Sequence, residues 1–215
     1  METNKNCGKI HQLFDRMKRF SFPFDKEEIP QNGIYVLFEK GELAHSVDRI
    51  VRIGTHTGEN QLCSRLFQHF LTENKDRSIF RKNIGRALLN KDKDLFLEKW
   101  EIDLTTRDAK KLYSDSIDFE KQKEVEKRVT KYIQDNFSFI VFQINEREKR
   151  LELESKIIST VSLCKECKHS KNWLGNSSPK EKIQKSGLWL VNELWKTSLS
   201  DKDIIELKSY LYLSI

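Results

Sequence analysis

Glu154 is the residue whose position most clearly suggests chemistry. In a helix predicted over residues 146–162, a rotation of about 100° per residue places its carboxylate within an apolar stripe that includes Leu153 and Ile157. Glu152 falls on the opposite face of that helix. Because a buried carboxylate is costly without a cation or hydrogen bonds, Glu154 is a candidate metal ligand, and an internal Glu–Arg pair is the alternative.

Arg65 and His69 form a second candidate pair. They stand four residues apart in the segment 61–71, where Leu62 and Phe70 belong to an apolar stripe with helical spacing. Side chains four apart on a helix share a face, so the two can act on one ligand. Arginine offers a donor fork that suits phosphate oxygens, and histidine moves protons near neutral pH. A solvated helix face is the alternative interpretation.

The third candidate is Tyr35, in a predicted strand over residues 33–38. It alternates with Ile34 and Val36 and therefore faces the other side of the strand. Residues 49–53 form a second predicted strand, and the polar link around residues 40–41 makes the two a hairpin. A strand tyrosine is commonly a packing residue, so this pattern alone does not identify a site.

The other predicted elements position these residues. The strongest strand pattern covers Phe137–Ile144, and Ser78 is a predicted helix cap. Further helices are predicted over His11–Phe20, Ile79–Leu89, much of Thr105–Asn136, and parts of Leu188–Ile215. The pattern predicts an α+β fold with a small, about three-stranded antiparallel sheet flanked by helices, a helical insertion and a helical C-terminal region.

The chain of 215 residues has room for one domain with additions. We expect a helical lead-in over residues 1–30 and a central domain over 31–176 that contains a charged helical insertion at about 91–136. Residues 177–215 would form a helical extension packed on the same domain.

The composition favours an anionic partner, because 39 Lys and Arg residues against 33 Asp and Glu residues give a net charge of +6. Residues 1–10 lack the apolar run of a signal peptide, and no stretch is apolar enough to cross a bilayer. These features predict a cytoplasmic protein with no membrane partner, and they indicate no particular oligomeric state.

The four cysteines are expected to be reduced thiols rather than disulfides. Cys164, Cys167 and His169 offer ligand types that bind zinc, but the fourth ligand would have to come from Cys7, Cys63 or another histidine. The spacing therefore favours a plain loop over a zinc site.

The order of the candidate residues resembles the catalytic pattern of the GIY-YIG nuclease superfamily. The matching elements are Gly33-Ile34-Tyr35, Arg52-Ile53-Gly54, Arg65, His69, Glu154-Ser155-Lys156-Ile157-Ile158 and Asn172. Arg52 replaces the second family tyrosine, the link between the first two strands is longer than usual, and the charged insertion precedes the third strand. The family asparagine corresponds to Asn172 or Asn176, and we prefer Asn172.

The resemblance implies that residues 31–176 are a GIY-YIG-like catalytic domain that hydrolyses phosphodiester bonds in DNA. Glu154 would hold one Mg²⁺ (or Mn²⁺) together with waters and the phosphate. Tyr35, helped by the metal or His69, would activate the attacking water. Arg65, with Arg52, would stabilise charge on the phosphate in the transition state.

DNA-backbone contacts are expected from the basic side chains of the helix that follows Ser78. These are Arg77, Arg81, Lys82 and Arg86. A solvated charged face is the alternative for them. The replacement at Arg52 also leaves open a protein that keeps the fold and binds nucleic acid without cutting it.

Overall fold

A four-stranded antiparallel sheet forms the centre of the molecule in a computed structural model that describes residues 2–212. The strands are β1 (Phe20–Ser21), β2 (Gly33–Ala44), β3 (Val47–Gly54) and β4 (Phe137–Gln143), and their order across the sheet is β1-β4-β2-β3. The predicted α+β class is confirmed. The additional strand is β1, which pairs Phe20 with Phe139 at the outer edge of β4.

The β2–β3 hairpin is longer than predicted. Residues 40–41 lie inside β2, and the true turn is at His45 and Ser46. Gly41 has a φ of +85°, and the pairing register shifts between Phe38 and Leu43, so β2 carries extra residues there. A bulge built on a glycine interrupts the alternation of side chains, which is why this stretch resembled a turn in the sequence.

Nine α-helices surround the sheet in residues 2–212. They are α1 (Glu2–Asp15), α2 (Leu62–Phe70), α3 (Ile79–Asp92), α4 (Leu97–Trp100), α5 (Arg107–Tyr113), α6 (Phe119–Asn136), α7 (Arg147–Leu163), α8 (Glu181–Ser186) and α9 (Asp201–Tyr212). The predictions for α2, α3 and α7 agree to within a few residues. None of these helices is both long and apolar enough to span a bilayer.

Two boundaries differ from the prediction. The first helix begins earlier than expected and ends at Asp15, because Phe20 pairs in the sheet instead of continuing the helix. The charged insertion is broken by a 3₁₀ turn at Ser114–Ser116, and Asp118 then caps α6 by accepting a hydrogen bond from the backbone N–H of Lys121.

The sheet separates two apolar cores, as the alternation in β2 predicts. Ile34 and Val36 pack on the side of α1, α7 and α9. Tyr35 and Leu37 pack on the other side, against α2, α3 and α6. Burying each large apolar side chain contributes roughly 1.5–3 kcal/mol, so both cores hold the strands in register. Tyr35 is therefore fixed on the face that the insertion helix α6 covers.

Candidate active site

Tyr35 lies at the centre of a buried hydrogen-bond network. Its side chain is only 1% exposed, and its hydroxyl is 2.7 Å from Nε2 of His69. Nε of Arg52 also donates to this hydroxyl, at 3.4 Å. In the hairpin register Tyr35 opposes Gly54, where an added Cβ would come within 2.2 Å of the phenol oxygen. Gly54 thus provides the space in which the ring lies.

His69 is fully buried on α2 and is held at both ring nitrogens. Its Nδ1 is 2.8 Å from Oγ of Ser78, and that oxygen also accepts the backbone N–H of Arg81 as the N-cap of α3. The pKa of His69 is well below its ordinary value of 6.5, chiefly because of burial and secondarily because of the charge of Arg52. The imidazole is therefore neutral at physiological pH.

Arg52 is a buried cation held beside the tyrosine. Its Nη1 donates to the backbone oxygen of Trp189 at 2.6 Å, and its guanidinium lies 5.2 Å from the centre of the Phe80 ring. It lies on the same face of the hairpin as Tyr35, since its register partner is Leu37. Arg52 thus supplies positive charge directly at the phenol.

Glu154 is half-buried on α7, whereas Glu152 is exposed, which confirms the predicted inward orientation. One carboxylate oxygen accepts the backbone N–H of Thr55 at 3.1 Å. Burial raises the pKa of Glu154 to about 7, and the charge of Arg52 and the Thr55 hydrogen bond only partly oppose it. Within residues 2–212 no ion pair shorter than 4.0 Å includes Glu154, so the internal Glu–Arg pair is not formed.

A polar cleft of about 410 Å³ opens beside Glu154. It is lined by Thr55, His56, Thr57, Gln61, Ser64, Arg65 and Gln68. Arg65 is half-buried there, and its Nη1 donates to Oε1 of Gln68 at 2.9 Å and to the backbone oxygen of Arg77 at 3.0 Å. The positive charge of Arg65 favours the ionised form of Glu154 and so lowers its pKa against the effect of burial. A cation of the cleft and the carboxylate are therefore close enough to interact.

Three residues of this site were not recognised from the sequence as functional candidates. Ser78 was identified only as a cap, although its hydroxyl also contacts His69. Thr55 and His56 directly follow the Ile53-Gly54 motif, which was the available signal. His56 is buried, its Nε2 accepts the backbone N–H of Gly33, and burial lowers its pKa. Thr55 and His56 both hydrogen-bond to the backbone of Gly33 and so hold the end of β3 beside the start of β2, where the cleft begins.

Asn172 is not brought together with the other predicted catalytic residues. It lies exposed in a turn next to Trp173, whose indole donates to Glu39 at 2.7 Å. Glu39 is four residues further along β2 than Tyr35, a distance of roughly 13 Å in an extended strand. Asn176, the alternative, donates to the backbone oxygens of Ser170 and Lys171.

The expected basic face for DNA is not exposed, and this prediction is wrong for three of its four residues. Arg81 is fully buried and pairs with Glu126 at 2.7 Å. Lys82 and Arg86 are buried as well, and they pair with Asp76 and Glu101 respectively. Only Arg77 is exposed. The acidic partners of these three cations come from other parts of the chain and were not visible in the local sequence. The cations are therefore engaged in ion pairs within the fold and do not form a phosphate-binding surface.

Residues 164–173, which follow α7, form no helix or strand, in agreement with the loop that the sequence favoured, and they pack against other parts of the chain. The two cysteines of this segment are buried and meet residues of α1 and of the β2–β3 turn in a group that we call the Cys/His cluster, made of Cys7, His11, His45, Cys164 and Cys167. His169, which the sequence had grouped with the two cysteines, lies outside this cluster, and its ring contacts that of Trp173 in a tilted arrangement with the ring centres 5.1 Å apart.

The comparisons with known proteins identify the family. No curated protein and no solved structure matches the chain. The family model for the GIY-YIG domain matches residues 5–209, which includes every strand and the residues of the Tyr35 network, Arg65 and Glu154. Proteins with this domain are in general endonucleases that use divalent metals. The match extends over nearly the whole chain, and the chain therefore belongs to the GIY-YIG domain family.

Proposed function

We propose that this protein is a metal-dependent endonuclease that hydrolyses phosphodiester bonds in DNA, acting in the cytoplasm. The observation that carries the proposal is the joint placement of two groups. Tyr35 is held by a neutral His69 and a cationic Arg52, and Glu154 lies half-buried beside the neighbouring cleft, in no ion pair with any residue that the structure describes. This is the combination of a positioned proton acceptor and a metal-binding carboxylate that hydrolysis of a phosphodiester requires.

The donor set at Glu154 fits Mg²⁺ or Mn²⁺. Mg²⁺ prefers oxygen ligands and keeps most of its waters, so a single carboxylate beside a polar cleft, together with a substrate phosphate, suffices to hold it. The raised pKa of Glu154 reflects a negative charge that neighbouring groups compensate only in part, and a divalent cation would compensate it. When bound, the ion would neutralise charge on the phosphate and favour ionisation of a bound water.

The proton acceptor is Tyr35, and the residues behind it determine its state. Because Oγ of Ser78 accepts the Arg81 N–H, its hydroxyl hydrogen is free to be donated to Nδ1 of His69. In the tautomer of His69 that we assign, Nε2 carries the hydrogen and donates to the phenol oxygen, as does Nε of Arg52. The two donors hold the phenol oxygen in position to take the proton of the attacking water once its own proton has been released.

Charge on the phosphate is stabilised by Arg65, whose guanidinium lines the cleft. Arg52 donates to Tyr35 and to the backbone oxygen of Trp189, so its proposed role is to hold the phenol oxygen in place rather than to bind the phosphate. Asn172 is left out of the proposed centre because its neighbour Trp173 contacts the other half of β2.

The test is a cleavage assay on supercoiled plasmid, linear duplex, branched DNA and single strands, with Mg²⁺ or Mn²⁺. Glu154→Ala removes the carboxylate, and Glu148→Ala, an exposed glutamate on the same helix, is the matched control. We expect metal-dependent cleavage of at least one substrate that Glu154→Ala loses and Glu148→Ala retains. DNA binding without cleavage by the wild-type protein would instead support the non-catalytic alternative.

A further inference from the structure

The Cys/His cluster joins three separate parts of the chain, far from the proposed catalytic centre. Cys7 and His11 lie one turn apart on α1, His45 is in the β2–β3 turn, and Cys164 and Cys167 follow α7. Cys164 is ten residues beyond Glu154, which corresponds to roughly 15 Å of helix. The cluster is therefore a second site, independent of the proposed nuclease function.

The spacing of its ligand atoms matches a tetrahedral zinc site. Those of Cys7, His11, His45 and Cys167 all lie within 4.8 Å of one another. Sγ of Cys164 is 3.5 Å from Nε2 of His45. With Zn–S of about 2.3 Å and Zn–N of about 2.0–2.1 Å, a tetrahedron separates sulfur from nitrogen by about 3.6 Å. The separation of Cys164 and His45 thus suits two ligands of one ion, and the sulfurs of Cys7 and Cys167 lie within 4.8 Å of the ligand atom of His45.

The two histidines are distinguished by their hydrogen bonds. His11 is engaged at both ring nitrogens, because Nδ1 is 2.9 Å from the backbone oxygen of Cys7 and Nε2 accepts the backbone N–H of Ile50 at 3.2 Å. His45 directs Nε2 toward the sulfurs, and its Nδ1 is 3.9 Å from a carboxylate oxygen of Glu166. A carboxylate behind a histidine is the usual support of a zinc ligand.

The backbone around the cluster adds independent support. The backbone N–H groups of Glu166 and Cys167 donate hydrogen bonds to the sulfur of Cys164, as they commonly do to a metal-bound sulfur. His45 and Ser46 have φ values of +52° and +67°, which a two-residue turn normally assigns to Asn and Gly. Histidine in this strained position indicates that its side chain has a specific role.

We propose that Cys7, Cys164, Cys167 and His45 bind one structural zinc ion. Four protein ligands close the coordination sphere, as in structural rather than catalytic zinc sites. The ion would tie the N-terminal helix and the hairpin turn to the end of α7, the helix that carries Glu154. His11 is a neighbour that orients the site without ligating it.

The experiment measures zinc in the intact protein, purified under reducing conditions from zinc-supplemented cells. We expect one zinc per chain, and zinc binding more than about 100-fold weaker in His45→Ala and Cys164→Ser, measured by competition with a chelator. His169→Ala tests the sequence-based grouping and Cys63→Ser the one cysteine outside the cluster, and both are expected to retain zinc. Cobalt in place of zinc should give a tetrahedral spectrum with a thiolate charge-transfer band.

The wild-type protein provides the decisive measurement, because a ligand variant can fail to fold. His45→Cys, which keeps four zinc-binding ligands, should still bind zinc. The proposal is overturned if the reduced wild-type protein neither contains zinc nor gives the tetrahedral cobalt spectrum. A disulfide between two of the three cluster cysteines in the protein isolated without reductant, or loss of zinc in His169→Ala but not in His45→Ala, overturns it as well.

Discussion

The carboxyl group of Glu154 illustrates how burial alone can tune a residue for metal binding. Without partners its pKa would be 4.5, and partial burial raises it to about 7 although Arg52 and the Thr55 N–H oppose the shift. At neutral pH the carboxyl group is therefore partly protonated, and a metal ion would compete with the proton for it. The same burial that makes the charge costly makes a divalent ion an effective partner.

This balance predicts a pH dependence of metal binding. Below pH 7 protons compete for Glu154, so the half-saturating Mg²⁺ concentration should fall by up to about 10-fold per pH unit as the pH rises, and then level off. Mg²⁺ titrations of cleavage at several pH values measure this. The same concentration dependence at pH 5.5 and pH 8 would contradict the assignment.

Thermal denaturation without metal provides a check that does not depend on activity. Because the folded-state pKa of Glu154 exceeds its ordinary value, the stability it contributes is full below pH 4.5 and is lost as the pH rises through about 7. Glu154→Gln should flatten this part of the stability profile, and Mg²⁺ should suppress the loss in the wild-type protein. If the stability of Glu154→Gln depends on pH in the same way as that of the wild-type protein, another group is responsible for the pH dependence.

Gly54 is expected to be essential to the position of Tyr35. In Gly54→Ala the new Cβ would lie 2.2 Å from the phenol oxygen, so the ring must leave its contacts with His69 and Arg52. A displacement of about 1 Å in a catalytic group can cost about 100-fold in rate, and we expect a loss of that size in cleavage.

Gly41→Ala is the matched control for this substitution. Gly41 has a positive φ, and within residues 2–212 an added Cβ would meet no atom within 4 Å beyond its chain neighbours, so alanine there should cost about 1–2 kcal/mol of stability without affecting cleavage. Equal losses of activity in the two variants would show that stability, rather than the position of Tyr35, is responsible.

At the scale of elements, the buried pair of Arg81 and Glu126 joins α3 to the insertion helix α6. The guanidinium also donates to Oγ1 of Thr130 and to the backbone oxygen of His69. The side chain of Arg81 therefore links three helices. These are α3, on which Arg81 lies, α2, which carries His69, and the insertion helix α6. The charged insertion is consequently an integral cover of the Tyr35 face.

Replacing Arg81 should therefore affect folding more than DNA binding. Arg81→Met leaves Glu126 buried without its cation, and we expect a loss of about 3–5 kcal/mol in the free energy of unfolding, measured with urea. Adding Glu126→Gln should restore part of it, whereas Arg77→Ala, at an exposed position, should change little. If Arg81→Met is as stable as the wild-type protein and its DNA binding depends less on salt, then Arg81 contacts DNA instead of stabilising the fold.

At the scale of the whole molecule, the features that the sequence predicted well are local. The alternation in β2, the apolar stripe of α2 and the inward position of Glu154 each depend on residues that are close together in the sequence. Ser78 was likewise recognisable as a cap from its neighbours. The family resemblance added the order of these elements, which brought Tyr35, His69 and Arg65 into one hypothesis.

The features that escaped prediction depend on distant partners. Arg81 and Glu126 are 45 residues apart, so the sequence could not distinguish a buried ion pair from a basic surface. His11 and Cys167 are 156 residues apart, and no local spacing indicates that they meet. The bulge in β2 was missed for another reason, since a glycine with positive φ has the same sequence signature in a bulge and in a turn.

The central claim, that Tyr35 and Glu154 form one hydrolytic centre, is tested most directly by a double-mutant cycle in single-turnover cleavage with Mg²⁺. Tyr35→Phe and Glu154→Gln should each slow the chemical step by at least about 100-fold, with DNA binding retained. Because both groups act in one step, the double variant should be about as slow as the slower single variant. Losses that multiply in the double variant, or cleavage at the wild-type rate without the phenol and the carboxylate, would contradict the claim.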